Sequence, residues 1–435
     1  MTAADHVGFR SIARKAGYRR LFAAQTVSRW GDTVNTVALV VLVFRLTGSG
    51  LGVSGVVIAE ILPVLLLAPI AGAVVDRLPR VRVMVAADLA RMVLAAALPL
   101  VDRNLVAVFA VAFGLSAGAV FFNPASASAL PSIVDEDELV AANSGLWSAA
   151  VVSQIALAPA AGALVAVWGP GQAFWINAAT FAVSALTLSR LRLPHPPAPV
   201  TPASWTARVL EGPRLLLRDR LLRLVASVQL LAALSAGATS ALLVVLAERH
   251  LGTGPGGFGL LLGAIGVGAA LGPVVLARLT ANPRQPMLVF GPYLLRGLVD
   301  LVLATTRALP IAVIALALYG VSTSTGMVTY NSLLQAEVPD QTRGRVFAGF
   351  DMLWQTGRLA SIALGGVAAD ALGISAVYLL GGLLLLAAGI IGLIGRPNQG
   401  GDWFSCRAGS RSRWERTRPA VVCRRSGRSR RARRR

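Results

Sequence analysis

Two carboxylic acids interrupt otherwise apolar stretches of the chain and suggest proton chemistry. Asp32 belongs to a polar row with the i, i+4, i+7, i+11 spacing of one helix face, formed by Gln25, Arg29, Asp32 and Thr36. Glu60 stands within the next apolar stretch with no charge inside a helical turn. An acid in hydrocarbon favours its neutral form and can carry a proton. Two alternatives remain: a neutral structural pair of Arg29 with Asp32, and a protonated or hydrogen-bonded core Glu60.

Six further ionisable residues in apolar stretches are spaced so that opposite charges can meet along one helix. The pairs are Asp88 with Arg91, Arg296 with Asp300, and Asp351 with Arg358. A charge inside a bilayer is costly unless it faces a cavity or a partner. The sequence therefore predicts intramembrane ion pairs at these positions.

Polar and aromatic side chains near these charges are candidates for binding a small molecule. They are Gln25 and Asn35 in the first stretch, and Tyr330, Asn331, Gln335 and Trp354 in the tenth and eleventh. Amides and hydroxyls can bond a ligand, although small polar residues also pack helices together. We expect these side chains to line a substrate cavity.

The stretches that carry these residues are long enough to cross a membrane. The chain has 435 residues, of which 55% are hydrophobic and 14% charged, with a mean hydropathy of +0.67. Soluble domains carry roughly 25% charged residues, and about 20 apolar residues span the hydrocarbon core as a helix. Twelve such stretches follow one another, at 21–45, 51–75, 83–101, 105–130, 140–167, 171–191, 224–247, 258–279, 286–304, 309–334, 346–371 and 374–394. The sequence predicts an all-α membrane protein with twelve transmembrane helices.

Several function classes are disfavoured by residues that the chain lacks or scatters. Both cysteines, Cys406 and Cys423, lie near the C-terminus, so no disulfide or Cys-bound metal is expected among the apolar stretches. The three histidines are isolated, no nucleophile has a His placed to activate it, and no phosphate-binding P-loop occurs. We expect no enzyme activity, no metal site, no cofactor and no ATP-driven pump.

The distribution of basic residues predicts the orientation. The segments that share a side with the N-terminus hold nineteen Lys and Arg, against four on the other side, counting arginines at the span ends. Basic residues favour the cytoplasmic side. We therefore expect a cell-membrane protein whose two termini are both cytoplasmic.

The net charge of +21 does not by itself indicate nucleic-acid binding. Residues 400–435 hold thirteen arginines against Asp402 and Glu415, and the rest of the excess follows the orientation bias. The tail is an Arg-rich, low-complexity run without periodicity. We expect a disordered cytoplasmic extension at 396–435; contact with anionic lipids is the alternative, and no nucleic-acid partner is expected.

The chain repeats itself with a shift of 204 residues. Segment 131–169 lies on 335–373, which aligns Gly162 with Gly366 and Gly169 with Gly373. Two parallel six-span halves are typical of one large transporter class. We predict a basic N-terminus at 1–20, bundles at 21–191 and 224–395, and a cytoplasmic loop at 192–223 with a short amphipathic helix at 205–223.

The segment "GAVVDRLPRVR" resembles the loop signature of the major facilitator superfamily. Gly72, Asp76, Arg77 and Arg80 match, Pro79 replaces a glycine, and Val81 stands where a basic residue is usual. "ALPSIVDEDELVAANS" and "VPDQTRGRVFAGF" further resemble the branch of enterobactin exporters and macrolide-efflux proteins.

This resemblance implies a conformational gate at the cytoplasmic face. Gly72 would let α-helices approach closely, and Asp76 would meet the start of the eleventh span near Arg343 and Arg345, closing the halves together. The alternative is a plain basic loop, which leaves Asp76 and Gly72 unexplained.

The fifth span carries part of a motif that antiporters of this superfamily share. Gly145, Pro159 and Gly162 match it, and Ala158 is a small substitute. The alternative is an ordinary proline-bent, glycine-packed helix.

The resemblance and the residues together predict a secondary active transporter that works by alternating access. The favoured function is proton-coupled efflux of a small amphipathic compound such as a drug, a macrolide or a siderophore, with Asp32 favoured over Glu60 as proton carrier. The expected partners are the substrate, protons and membrane lipids, and we expect a monomer. Uptake by the same fold and a non-transporting membrane scaffold are the alternatives.

Overall fold

Long helices make up nearly all of the structure. The computed structural model describes residues 12, 14–135, 138–193, 216–217, 219–279, 285–338 and 340–395. The long helices are α1 (Ala16–Thr47), α2 (Gly50–Arg77), α3 (Arg80–Val101), α4 (Leu105–Ala129), α5 (Leu139–Trp168), α6 (Pro170–Ser189), α7 (Arg220–Ala241), α8 (Gly254–Leu279), α9 (Pro286–Thr305), α10 (Leu309–Glu337), α11 (Asp340–Ala371) and α12 (Ile374–Ile394).

The prediction of an all-α membrane protein is confirmed, and the described residues form twelve long helices. Each helix covers one predicted apolar stretch, and the described residues contain no strand. Ten of the twelve are long and apolar enough to cross a membrane. The other two, α6 and α11, pack between more apolar helices: α6 against α1 and α3, and α11 against α2 and α7.

The predicted amphipathic helix at 205–223 lies mostly outside the described residues, as does the Arg-rich tail. Its last four residues belong to α7 instead, because Asp219 caps that helix by accepting a hydrogen bond from Leu221 N at 2.8 Å. The seventh apolar stretch continues past α7 as Leu243–Val245 and a π-helical turn, Leu246–His250.

One aligned glycine pair has the same backbone role in both halves of the repeat. Gly169 joins α5 to α6 with φ of 80°, and Gly373 joins α11 to α12 with φ of 87°. Positive φ favours glycine, since a side chain would clash there. The repeat read from the sequence therefore reproduces a specific turn in both halves.

Helices α1–α6 and α7–α12, the two halves predicted from the sequence, touch mainly through two helix pairs, α2 with α11 and α5 with α8. Gly366 of α11 packs against α2, where an added Cβ would lie 2.5 Å from Ser54 Oγ. Its repeat partner Gly162 of α5 packs against α8, where an added Cβ would lie 2.5 Å from the carbonyl oxygen of Pro255. The aligned glycines thus mark equivalent contacts between the halves.

We name the two ends of the bundle by the acidic residues next to them. The Asp370 end is where α1, α5 and α11 finish, and the Asp76 end is where α2 and α8 finish. One apolar cluster at the Asp370 end joins residues of both halves, including Val53, Val165 and Phe258.

At the Asp76 end the described core divides into two separate clusters. One contains only residues of the first half, such as Tyr18 and Met84, and the other only residues of the second, such as Phe290 and Phe350. The described halves therefore share a core at the Asp370 end and separate toward the Asp76 end.

Candidate functional site

A cavity of about 370 Å³ opens beside the first half of the molecule. This volume is within the ~300–1,000 Å³ range of small-molecule sites. Helices α1, α3, α4 and α5 form its wall, and α4 and α5 contribute residues from the portions nearer the Asp76 end. Its lining includes Gln25, Ser28, Arg29, Asp32, Arg91, Phe122, Asn123, Ser126, Asn143, Leu146 and Trp147.

Asp32 is the acidic residue of this lining. Its side chain and that of Arg29 are both exposed to the cavity. Among the described residues, Arg29 and Asp32 form no ion pair within 4 Å. The structure therefore does not show the alternative in which these two charges neutralise each other. The carboxylate lies instead in a shared electrostatic environment with Arg91, Arg29 and Asp88.

Arg91 and Asp88 form an ion pair, as their spacing led us to expect. Ser184 of α6 donates a hydrogen bond to Asp88 Oδ2 at 2.6 Å. The guanidinium of Arg91 is 4.7 Å from the ring centroid of Phe122 and 4.3 Å from that of Phe181. Both rings stabilise the cation. Arg91 also lines the cavity.

The fourth and fifth helices contribute cavity residues that the sequence analysis missed. Gln25 donates a hydrogen bond to Ser126 of α4, and Trp147 of α5 is 68% exposed. The spacing was visible: Asn143, Leu146, Trp147 and Ala150 recur as one face of a helix. It was overlooked because no charge marks that face.

Five predicted cavity residues lie elsewhere. Asn35 is buried, and its Oδ1 has no hydrogen-bond partner. Tyr330 packs edge-on against Phe350, with ring centroids 5.7 Å apart, in the cluster of the second half that Trp354 also contacts. Asn331 and Gln335 belong to α10 and are not among the lining residues. These five residues do not line the described cavity, because hydroxyl and amide content does not tell which way a helix face points. Their role in binding a substrate stays a prediction.

Glu60 is half-buried on α2 and does not line the cavity. It is nevertheless not isolated from charge, since its electrostatic environment includes Asp32 of α1 and Arg358 of α11. Ser116 of α4 donates a hydrogen bond to the carbonyl oxygen of Glu60. The apparent isolation in sequence reflected only neighbours on the same helix.

The prediction of an ion pair between Asp351 and Arg358 was wrong. The carboxylate of Asp351 and the guanidinium of Arg358, both of which the structure describes, do not form an ion pair. Two helical turns separate them along α11, and Glu60 in the other half is the acid in the electrostatic environment of Arg358.

Arg296 and Asp300 of α9 are both buried but also form no direct ion pair in the described structure. Arg296 donates a hydrogen bond to the hydroxyl of Tyr319 at 2.8 Å and stacks on the same ring. Asp300 accepts a hydrogen bond from Ser235 at 3.4 Å. Each charge therefore has its own polar partner on a different helix, and the predicted pair is corrected accordingly.

The residues of the antiporter-type motif lie where the halves meet. Gly162 packs on α8, and an added Cβ at Gly263 of α8 would lie 2.6 Å from the Pro159 ring. Gly145, nearer the start of α5, is half-buried. The close approach of α5 and α8 gives Gly162 and Pro159 a packing role, whatever else the motif does.

The predicted gate is only partly visible. Asp76 is the penultimate residue of α2, but its side chain and those of Arg343 and Arg345 lie outside what the structure describes. Arg80 Nη1 donates to Ser132 Oγ at 2.8 Å, within the first half, and Arg77 is exposed. No described atom lies within 4 Å of a Cβ built on Gly72, so the expected close approach is not seen in this conformation.

No group of three or more His, Cys, Asp or Glu among the described residues could hold a metal ion. What the cavity offers instead is one accessible acid, two arginines, several amides and two aromatic faces. Such a lining can hold an amphipathic molecule and exchange a proton at Asp32.

Comparisons with known proteins place these features in a family context. A family described as "Transmembrane secretion effector" matches residues 10–416. The multidrug efflux pump Tap of Mycolicibacterium fortuitum is 30% identical over 388 residues, covering 85% of this chain and 93% of its own. Tap of Mycobacterium tuberculosis is 29% identical over 402 residues, covering 88% and 94%.

A solved structure shares the fold. A bacterial homologue of the iron transporter ferroportin, in its inward-facing state, superposes with a TM-score of 0.72 over 87% of this chain and 98% of its own. The two sequences are 16% identical, so the likeness concerns the arrangement of helices alone.

Proposed function

Because this chain belongs to the transmembrane secretion effector family of the major facilitator superfamily, we propose that it exports small amphipathic compounds in exchange for protons. The observation that carries the proposal is the cavity itself. It places one acid, Asp32, beside aromatic and amide side chains at the interior of a membrane-embedded bundle. Relatives that align over most of this chain are named multidrug efflux pumps, which supports the export of drug-like molecules.

In this proposal Asp32 carries the proton. Its carboxylate is exposed to the cavity, where it can exchange protons with water while the Asp76 end is open. Arg29 and Arg91 line the same cavity and place positive charge near that carboxylate. A cationic or polar substrate that enters the cavity changes that balance, so that substrate and proton compete for the same site.

Glu60 takes a supporting role. It lies on the helix pair through which the halves meet, and its electrostatic environment spans both halves through Asp32 and Arg358. Any rotation of one half against the other changes the distance from Glu60 to Arg358. Glu60 therefore links the proton site to the conformational change, whereas Asp32 contacts the cavity directly.

The orientation remains as the basic residues predict it, with the Asp76 end in the cytoplasm. A cavity that opens toward the cytoplasm can collect substrate there for export. The chain acts as a monomer in this proposal, and lipids and protons are its other partners.

The test uses purified protein in liposomes with a pH gradient and a panel of dyes and antibiotics. We expect Asp32→Asn to abolish uphill transport and substrate-induced proton release while downhill exchange of substrate continues. Glu60→Gln should reduce uphill transport less. The matched control is Asp102→Asn, which removes an acid outside the cavity, at the end of α3.

Direction is tested separately by comparing inverted with right-side-out vesicles. Export predicts accumulation inside inverted vesicles when their lumen is acidic. Accumulation in right-side-out vesicles alone would establish uptake, and no substrate-dependent flux in either would support a scaffold. Uphill transport by Asp32→Asn driven by pH alone would exclude Asp32 as the proton carrier.

A further inference from the structure

Asp370, which the sequence analysis did not single out, connects the two halves of the protein. It is the penultimate residue of α11, and its carboxylate reaches the first turn of α2 in the other half. Asp370 Oδ2 accepts hydrogen bonds from Ser49 Oγ at 2.5 Å and from Leu51 N at 3.0 Å. Its Oδ1 accepts a third from Gly50 N at 2.8 Å.

The carboxylate of Asp370, on α11, accepts hydrogen bonds from the N-terminal amide groups of a different helix, α2. The first amide groups of a helix lack partners within the helix and carry partial positive charge. Ser49 already caps α2 by accepting from Leu51 N and Gly52 N, at 3.0 and 3.3 Å. The carboxylate of Asp370 adds a full negative charge at the same terminus, which strengthens the hydrogen bonds.

Arg249 extends the contact to α1. Its Nη1 lies 3.3 Å from Asp370 Oδ1, while its Nη2 donates to the carbonyl oxygen of Gly48, the C-cap residue that follows α1. The guanidinium also lies 5.5 Å from the ring centroid of Phe44. Arg249 follows α7 and therefore belongs to the second half, so that this half holds both α1 and α2 of the first.

The backbones of α2 and α11 are so close at this point that there is little room for a side chain larger than glycine at Gly50 or Gly366. A Cβ added at Gly50 would lie 3.0 Å from Ala369 Cβ, and one added at Gly366 would lie 3.0 Å from Leu51 Cα. The charged contact thus sits on a tightly packed interface, directly beside the shared apolar core, which includes Ala369.

We propose that Asp370, Arg249 and the N-terminus of α2 form a gate that holds the Asp370 end closed, reciprocal to the gate predicted at Asp76. The antiparallel helices α2 and α11 each carry an aspartate as their penultimate residue. Asp370 contacts the start of α2, and the family resemblance predicts that Asp76 meets the start of α11. Rocking the halves separates one end of this helix pair as it brings the other together. The two aspartates therefore stabilise opposite conformations of the transporter.

The gate can be tested without a substrate and without transport, so its failure is distinguishable from failure of the proposed function. Spin labels at Gln172→Cys and Arg307→Cys report the separation of the halves, because both residues are exposed and lie at the Asp370 end. Cys406 and Cys423 are first replaced by serine. Distances are measured by pulsed electron paramagnetic resonance on the full chain in nanodiscs.

We expect a short, narrow distance distribution in the unsubstituted labelled chain. Asp370→Asn should lower the ratio of closed to open populations about tenfold or more, the size expected for hydrogen bonds that lose a charged acceptor. Arg249→Gln should act in the same direction with a smaller effect, and it keeps the test available if Asp370→Asn does not fold. The control is Asp102→Asn, an acid at the same end without a described contact to the other half.

The reciprocal variant Asp76→Asn should shift the same equilibrium toward a closed Asp370 end, and the double variant should lie between the two. An unchanged distance distribution in both Asp370→Asn and Arg249→Gln would overturn the gate. A shift equal to that of Asp102→Asn would also overturn it, since loss of any surface acid would then suffice.

Discussion

Gly162 offers a direct test of the contact between α5 and α8. Gly162→Ala adds a Cβ that would lie 2.5 Å from the carbonyl oxygen of Pro255 and 3.0 Å from Gly259 Cα. Ordinary contact begins at 3.4 Å, so the helices must separate by about 0.9 Å at the carbonyl. Both obstructing atoms belong to the backbone of α8, which cannot rotate away as a side chain does.

The magnitude follows from the cost of overpacking. Inserting a methyl group where the backbone must move costs ~1–3 kcal/mol, which corresponds to a change of about 5- to 150-fold in a two-state equilibrium. Alanine also favours a helix over glycine by ~0.8–1 kcal/mol. That gain applies in both conformations of α5 and cancels from the ratio between them. We therefore expect Gly162→Ala to open the Asp370 end and slow transport.

The assay is the label pair Gln172→Cys with Arg307→Cys, combined with transport in liposomes. Gly366→Ala should act in the same direction, because its Cβ would lie 3.0 Å from Leu51 Cα and 2.5 Å from Ser54 Oγ. Gly171→Ala is the matched control, since no described atom lies within 4 Å of its Cβ. If Gly162→Ala gives the distances and rates of Gly171→Ala, the close packing has no role in closing this end.

Two further predictions concern regions away from the cavity. Lys15 Nζ lies 2.6 Å from Asp135 Oδ2 and also pairs with Glu138; these bonds raise the pKa of Lys15 above 10.5, and the bond from Lys15 lowers the pKa of Glu138 below 4.5. The two ion pairs stabilise the folded protein fully between pH 4.5 and pH 10.5. This stabilisation is lost at low pH as Glu138 is protonated at its lowered pKa, and at high pH as Lys15 is deprotonated at its raised pKa. The Tm difference between wild type and Lys15→Met should therefore be constant near neutral pH and shrink at both extremes; a pH-independent difference contradicts this. Deleting residues 400–435 should leave membrane abundance and transport unchanged, and a loss of transport at equal abundance would give the tail a function.

The helices were predictable because the length and order of the apolar stretches can be read directly along the chain. Twelve apolar stretches gave twelve helices, and Gly169 and Gly373 recur because one turn occurs twice. Orientation around each helix axis was harder to read. Asn331 and Trp147 show the difference: the first is polar yet lies outside the cavity, whereas the second is apolar and exposed within it. A single sequence does not say which face of a fully apolar helix meets a cavity.

Charge pairing failed for a related physical reason. Spacing of three residues sufficed for Asp88 and Arg91, whose ion pair is local. Arg296 and Asp300 are also spaced to pair along one helix, but each bonds a residue of a neighbouring helix instead: Arg296 donates to Tyr319, and Asp300 accepts from Ser235. In a bilayer, a buried charge gains from any polar group that the fold brings near, and no sequence separation limits that choice.

The same reasoning explains why Asp370 was missed and Asp76 was found. Asp76 stands among arginines in a recognisable loop, whereas Asp370 follows an ordinary glycine-rich helix end with no basic residue close to it in sequence. Its partners, Ser49, Gly50, Leu51 and Arg249, are at least 121 positions away. Two of these four partners contribute backbone amides, which any sequence supplies. A contact between a carboxylate and a helix N-terminus leaves almost no pattern in the residues that receive it, so only the packing of α2 against α11 reveals it.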